Sequence, residues 1–530
     1  MTTRNLLSGP ITFSNAKGRA ASVLEALLYP QRKLAFYDYI ERRRDLVAEV
    51  IAHHFGVKPS EIQVSPQVWW RHGSFNLCIP FTIIAKMTDP DVLPNVLPYA
   101  FIRFPLPYRV GEAAHPGNSD EKVRCEAATY AWMEENCPDV PIPKPFGFGL
   151  STNERFTKSN IVPWWSRWCH EARRFILSVA GYQQPTQYVC HNSPRFEKLD
   201  IGYLIIEMIT TDRGIMLSES WPEKRSDARL HNLQKDMARI MVSMARHRLP
   251  CIGTFRMDSG GFLRLDNRPI SVDSTIYENE GLPPVMSRNT TFTTVQDFIN
   301  SQILAFEPRF LEQPNAINSR EDAWHQMTGF AGARLTLPQL LQEDLNNGPF
   351  IFALSDIHRS NIFVDENWNI TAIIDLEFAC SWPIEFLQTP YWLECDFIEH
   401  VLPTEFLARN TEFIKHVKQA EELHQYGNSG TKSLSSIMQR SSDEGGFWVP
   451  LALAHPVSFT QIFYERILKR YFGFLAEDFE KAQSFIFCSR LFRRNIPTLL
   501  DRKLDDRQKY LDALAEAFSD EKPDLAQPGR

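Results

Sequence analysis

"FALSDIHRSNIFVDENWNITAIIDLEFA", residues 352–379, sets Asp356, Asn361 and Asp375 at the ends of apolar, β-branched runs. "NIFV" (361–364) and "ITAIID" (370–375) read as two strands, and "DENWN" between them has turn composition. A hairpin that reverses near Asn367 brings Asp375 back to the end that Asn361 left. Asp356 lies just upstream, in the loop that enters the first strand. Three oxygen-bearing side chains can then converge. Turn chemistry is one account of such residues, because Asp and Asn fold onto their own backbone.

A metal–phosphate site is the other account. Magnesium takes hard oxygen ligands and keeps several positions for water and phosphate oxygens. An amide and a carboxylate, here Asn361 and Asp375, can hold the ions that neutralise a nucleotide's phosphates. A second carboxylate within reach of a hydroxyl, here Asp356, can orient it and accept its proton.

At these residues the sequence resembles the aminoglycoside phosphotransferase / choline kinase group, relatives of the protein kinases, and more specifically its fungal phosphotransferase-like branch. The group's pattern is an Asp, four residues, an Asn, a hairpin, and an Asp inside an I-I-D-x-E run. Asp356, Asn361, Asp375 and Glu377 stand at those places. Leu354 and Ser355 stand where the group has His and Gly. The resemblance implies an α+β, bilobal, protein-kinase-like fold. Its small lobe has an antiparallel sheet and one long helix. Its large lobe is mostly helical and carries the catalytic-loop hairpin.

The resemblance further implies ATP and Mg as cofactors and a phosphotransferase acting on an alcohol group, with Asp356 as base and Asn361 and Asp375 as metal ligands. Such a site needs a cation on a small-lobe strand, held by a Glu of the next helix. "YAFIRFP" (99–105) offers Arg103, where the group has Lys, and the following helix offers Glu126, with Glu121 as second choice. Arg is a planar fork and Lys a point charge, so the exchange is not neutral. The turn "RHGSFN" (71–76) supplies Gly73 and Ser74, whose backbone N–H groups are expected near phosphates. "YLIIEMI" (203–209) is the expected inter-lobe strand, with backbone around Glu207 and Ile209 for the adenine edge. Arg359, inside the catalytic loop, is a candidate for stabilising the transferring phosphoryl group, or else pairs with a nearby carboxylate. The departures at Leu354, Ser355 and Arg103 keep a second class open, a nucleotide-binding pseudokinase with a regulatory role. The acceptor is not named by any stretch of sequence.

Bulk properties fit this reading. The 530 residues are 43% hydrophobic and 23% charged, ordinary for a globular chain with a large core. The net charge of −7 and the lack of a basic stripe speak against a nucleic-acid partner. Nine scattered cysteines without CxxC spacing predict reduced thiols and an intracellular, cytoplasmic setting. The acid-poor start, with Arg4, Lys17 and Arg19 before Glu25, also permits a mitochondrial leader. No run of 18 apolar residues occurs, so no membrane partner is expected. Expected partners are a nucleotide and a small-molecule acceptor.

Along the chain, residues 1–65 are expected as a helical extension, with one helix over 34–56 stopped by Gly56. The small lobe is expected over 66–209, with an insertion at about 151–200 whose Trp164, Trp165 and Trp168 form a packing patch. The helical large lobe follows over 210–518, with a hairpin turning at Ser259-Gly260-Gly261 and a mobile Ser/Gly-rich loop over 426–446. The tail 519–530 is expected to be disordered.

Overall fold

The computed structural model describes residues 2–89, 99–192, 196, 198–424, 432–454, 456–472, 487, 490–493 and 495–519. The fold is mixed α/β, with strands gathered before residue 217 and helices dominating afterwards. One antiparallel sheet runs in the order Ile62–Val64, Asn76–Ile83, Tyr99–Pro105, Tyr203–Glu207, Pro145–Gly149, Glu154–Lys158, Tyr188–Asn192, and Arg71–His72 pairs onto the second of these.

Its central strands are buried on both faces, so they carry apolar residues almost continuously. Alternation sends successive side chains to opposite sides. Ile102 and Ile205 pack with Val47, Ile51 and Phe55 of the helix Arg44–Phe55. Phe101, Leu204 and Ile206 pack with Ala127, Ala128 and Ala131 of the helix Asn118–Asn136. Small residues let that helix sit close to the sheet, and most of its length is buried.

The opening stretch folds as a pair of short sheets. Phe350–Leu354 lies between Arg248–Leu249 and Ala379–Pro383. Ile362–Val364 pairs with Ile370–Ile373 and with Ile215–Met216. Turn chemistry does operate here, but through Asp365: its carboxylate accepts from the Asn367 and Asn369 backbone N–H groups, both at 2.9 Å. Trp368 is fully buried in this turn and stacks on Trp221 at 5.1 Å. The predicted hairpin around Gly260 is present as Thr254–Met257 with Leu263–Asn267.

Several sequence expectations need correction. The N-terminal extension is not purely helical: Thr3–Leu6 and Gly9–Thr12 form a hairpin, and Arg4 Nε donates to the Ala517 carbonyl oxygen at 2.6 Å. The helix expected over 34–56 is two helices, Tyr29–Glu41 and Arg44–Phe55. Gly56 ends the second in the left-handed conformation, as its position predicted. No Gly or Pro marks the break, and the Arg43 guanidinium lies over the Tyr39 ring at 3.8 Å there. Within 151–200, residues 154–158 and 188–192 form two strands of the main sheet. The tryptophans at 164, 165 and 168 are exposed rather than packed.

Within 426–446, residues 434–444 are helical: Ser433 caps the helix, and Leu434, Ile437 and Met438 are buried at helical spacing beneath the serines. Residues 425–431 and 520–530, on which the rest of the loop expectation and most of the tail fall, lie outside the described residues.

Phe148 tests the sheet–helix core. It is fully buried and stacks on Phe156 at 4.5 Å. Phe148→Ala is expected to lower unfolding free energy by about 3–5 kcal/mol, read by urea denaturation, and a loss below about 1 kcal/mol would contradict this packing.

Candidate active site

Arg103 stands in a central strand, paired with Cys78 on one side and Leu204 on the other. Its guanidinium is buried, so its charge requires partners. Nη1 donates to Glu126 Oε1 at 2.6 Å and Nη2 to Asp375 Oδ1 at 2.6 Å. The Glu377 carboxylate lies 3.5 Å from Nη2. One guanidinium therefore joins the sheet, the 118–136 helix and the far end of the 362–373 hairpin.

The hairpin delivers its residues as the spacing predicted. Ile362 pairs with Ile373, and the Ile374 N–H donates to the Asn361 carbonyl oxygen at 2.9 Å. That bond fixes Asn361 beside the chain that leads into Asp375. Asp375 has φ +63°, a left-handed conformation rare for a non-glycine residue and characteristic of functional sites. The buried Asn361 gives its amide nitrogen to the Asp356 carbonyl oxygen at 3.0 Å, which orients Oδ1 as the remaining donor atom of the side chain. Asp356, immediately after the Phe350–Leu354 strand, is partly buried. Burial first, then the negative charges of Asp375 and Asp273, push its carboxyl up to about 7.

Glu377 makes the second half of the network. It is buried, and Lys122 Nζ and Asn76 Nδ2 both donate to Oε2, the latter at 2.6 Å. Lys122 also donates to Asn76 Oδ1 at 2.7 Å. Burial is the main cause that raises the Glu377 carboxyl to about 7, and the positive charges of Lys122 and Arg103 oppose it. Lys122 and Asn76 were missed by sequence reasoning. The available signal was spacing: Lys122 and Glu126 are one helical turn apart and share a face.

The other sequence candidates are distributed around this core. Gly73 and Ser74 lie in the turn before Asn76. The Gly73 N–H closes that turn onto the Asn76 carbonyl oxygen at 2.8 Å, and the Ser74 carbonyl oxygen accepts from Arg109 Nε at 2.9 Å. Glu207 ends its strand buried, its carboxylate held by Arg213 Nη1 at 2.9 Å and the Lys144 N–H at 3.0 Å. Ile209 packs on Phe363 and Ala372 of the hairpin, so the strand leads directly onto the site. Glu121, the second choice for Glu126, belongs elsewhere: Arg268 and Arg288 hold it at 2.9 and 3.0 Å.

Arg359 is not brought into the Arg103 group. Its guanidinium lies 4.0 Å over the Trp221 ring and bonds Asp396 and the Trp392 carbonyl oxygen. It lines a cavity of about 420 Å³ together with Trp221, Arg225, Glu394 and Asp396.

The donors present suit a hard cation. Ligand atoms of Glu126, Asp375 and Glu377 lie within 4.8 Å of one another. Glu377 Oε1 is buried without a hydrogen-bond partner, and the Asp375 side chain keeps 32% of its surface. Arg103 and Lys122 already offset part of this negative charge, and of the three carboxylates only Asp375 keeps substantial exposure to an incoming metal.

No protein-family model matches the chain, and no curated protein does. Solved structures give distant likenesses. One is a thermostable mutant of the aminoglycoside phosphotransferase APH(4)-Ia in ternary complex with AMP-PNP and hygromycin B, at 12% identity and TM-score 0.34, over 85% of this chain and 98% of that one. Another is described as an aminoglycoside phosphotransferase of Ralstonia eutropha JMP134, at 12% identity and TM-score 0.38, over 87% and 97% of the two chains. Likeness at this level carries no weight for what this chain does.

Lys122→Met leaves the Glu377 carboxylate buried with one compensating cation fewer, and is expected to cost about 3–5 kcal/mol. Adding Glu377→Gln should restore part of that loss in a denaturation cycle. Strictly additive single and double variants would show that the two side chains are not coupled.

Proposed function

We propose that this chain is an ATP- and Mg-dependent phosphotransferase acting on a hydroxyl group of a small molecule. Its architecture on this reading is the bilobal, protein-kinase-like one of the aminoglycoside phosphotransferase / choline kinase group, with the cleft between the main sheet and the hairpin of residues 362–373. The carrying observation is the guanidinium of Arg103, held by Glu126 and touching Asp375 across that cleft. A strand cation fixed by a helix carboxylate and facing a hairpin carboxylate is the arrangement that phosphoryl transfer requires.

Each residue has a distinct task. Asn361 and Asp375 would hold the magnesium, and bound Mg–ATP would supply the phosphoryl group, the metal offsetting the phosphates' negative charge. Arg103, preorganised by Glu126, would turn Nη2, which bonds Asp375 in this structure, to a phosphate oxygen. Backbone of the Gly73–Ser74 turn closes over the phosphates, and backbone near Glu207 and Ile209 receives the base. Asp356 would orient the acceptor hydroxyl and take its proton as the oxygen bonds to the γ-phosphorus, while the bond from that phosphorus to the bridging oxygen breaks and ADP leaves. A carboxyl whose affinity for protons is raised by burial suits that role near neutral pH. Arg359, tied to Asp396, positions the loop that carries Asp356 rather than touching phosphate.

A nucleotide-binding pseudokinase is the second reading, and one observation favours it. The direct Arg103–Asp375 contact at 2.6 Å engages a metal-ligating oxygen. Turnover separates the two readings. Purified chain with ATP and Mg²⁺ is assayed for phosphate transfer to a panel of hydroxyl-bearing acceptors. The enzyme reading predicts transfer that falls by about 10²-fold or more in Asp356→Asn, with nucleotide-induced thermal stabilisation retained. Stabilisation without transfer to any acceptor, unchanged by Asp356→Asn, would establish the pseudokinase instead.

A further inference from the structure

The helix Trp164–Val179 is oriented opposite to the usual rule. A surface helix of a globular chain normally turns its apolar stripe to the core. Here the packed side is polar. His170 is buried and donates from Nε2 to the Thr186 carbonyl oxygen at 2.8 Å, and Arg174 lies 3.6 Å from Glu135. The apolar side faces solvent: Trp164, Trp165, Trp168, Phe175, Ile176 and Val179 are each between 60% and 81% exposed. At 3.6 residues per turn these six fall within an arc of about 120°. Exposed apolar surface of this extent marks an interaction site.

We infer that this helix is an interfacial anchor that lies in the headgroup region of an anionic lipid bilayer. Three features select a bilayer over a protein partner. The apolar face is a ridge along one helix, which a bilayer accepts at any position and a protein receives only with a matching groove. Aromatic side chains stand at both ends, with Trp164 and Trp165 at the start and the exposed Tyr182 just past the end, as suits residues at headgroup depth. The charge is locally complementary: with Arg174 turned to the packed side beside Glu135, residues 164–182 leave Arg167 and Arg173 exposed against Glu171, a net of +1 in a chain of net −7. Exposed arginines beside an apolar stripe extend along it and reach acidic headgroups.

The surrounding structure supports the same face. A cavity of about 460 Å³ between the helix and the tip of the Thr254–Met257/Leu263–Asn267 hairpin is lined by Trp168, Ile176, Leu177 and Phe262, with Arg173 over the Phe262 ring at 5.3 Å. It continues the apolar surface onto a second element. Among the described residues no helix is long and apolar enough to cross a membrane, so the attachment is peripheral. This departs from the sequence expectation of no membrane partner, which considered only spanning segments.

The test uses the full chain in flotation with phosphatidylcholine vesicles, with and without phosphatidylserine. The wild-type chain should float, and more of it when phosphatidylserine is present. Trp165→Glu/Ile176→Glu alters only exposed side chains, so its melting temperature should be unchanged while its partition falls at least about tenfold. Arg167→Glu should retain flotation and lose the phosphatidylserine preference. The inference is overturned if the wild-type chain stays unbound at both compositions, or if the double variant floats equally well. It is also overturned if sedimentation shows a dimer that the double variant abolishes without any vesicle binding.

Discussion

The junction of sheet, helix and hairpin at the candidate site depends on one buried guanidinium. Arg103 lies where the main sheet is covered on both faces, and a charge there is stable only if fully paired. Glu126 and Asp375 pair it from two different elements, and Glu377 approaches from the same side as Asp375. The sheet, the 118–136 helix and the hairpin are thereby held in one relative position. Lys122 and Asn76 extend the same network, so two buried carboxylates, Glu126 and Glu377, and the part-exposed Asp375 face two buried cations. Such an excess of negative charge, open to solvent only at Asp375, favours a bound cation.

The loop carrying Asp356 is positioned from outside this network. Arg359 anchors it to Asp396 and lies over Trp221, which in turn stacks on Trp368 in the hairpin turn. Asn361 ties the loop to the hairpin through both its side chain and its backbone. Asp356 and Asp375 are thus held by different contacts, and Asn361 is the link between them. Substitutions at Trp221 or Asp396 act on the loop without removing any group that would touch nucleotide.

Legibility followed the range of the interactions. The hairpin, and with it the meeting of Asn361 and Asp375, could be read because two β-rich runs and a turn are local. The Arg103–Glu126 pair could be named from the order strand, then helix. Lys122 could not, because its partner Glu377 is 255 residues away and its one local signal, a helical turn's spacing from Glu126, is common on surface helices. The break at Arg42–Arg43 and the helix under the serines at 434–444 were hidden similarly, since tertiary packing decides both. The tryptophans at 164, 165 and 168 misled for the opposite reason: apolar residues at helical spacing ordinarily face a core, and here they face away from it.

The most direct measurement of the central claim is calorimetric titration of a non-hydrolysable ATP analogue into the full chain with and without Mg²⁺. The network described here predicts saturable binding that requires Mg²⁺, is abolished by Asp375→Ala, and is weakened by about tenfold or more in Arg103→Met. Failure to bind at millimolar nucleotide, or binding indifferent to both Mg²⁺ and Asp375, would contradict it.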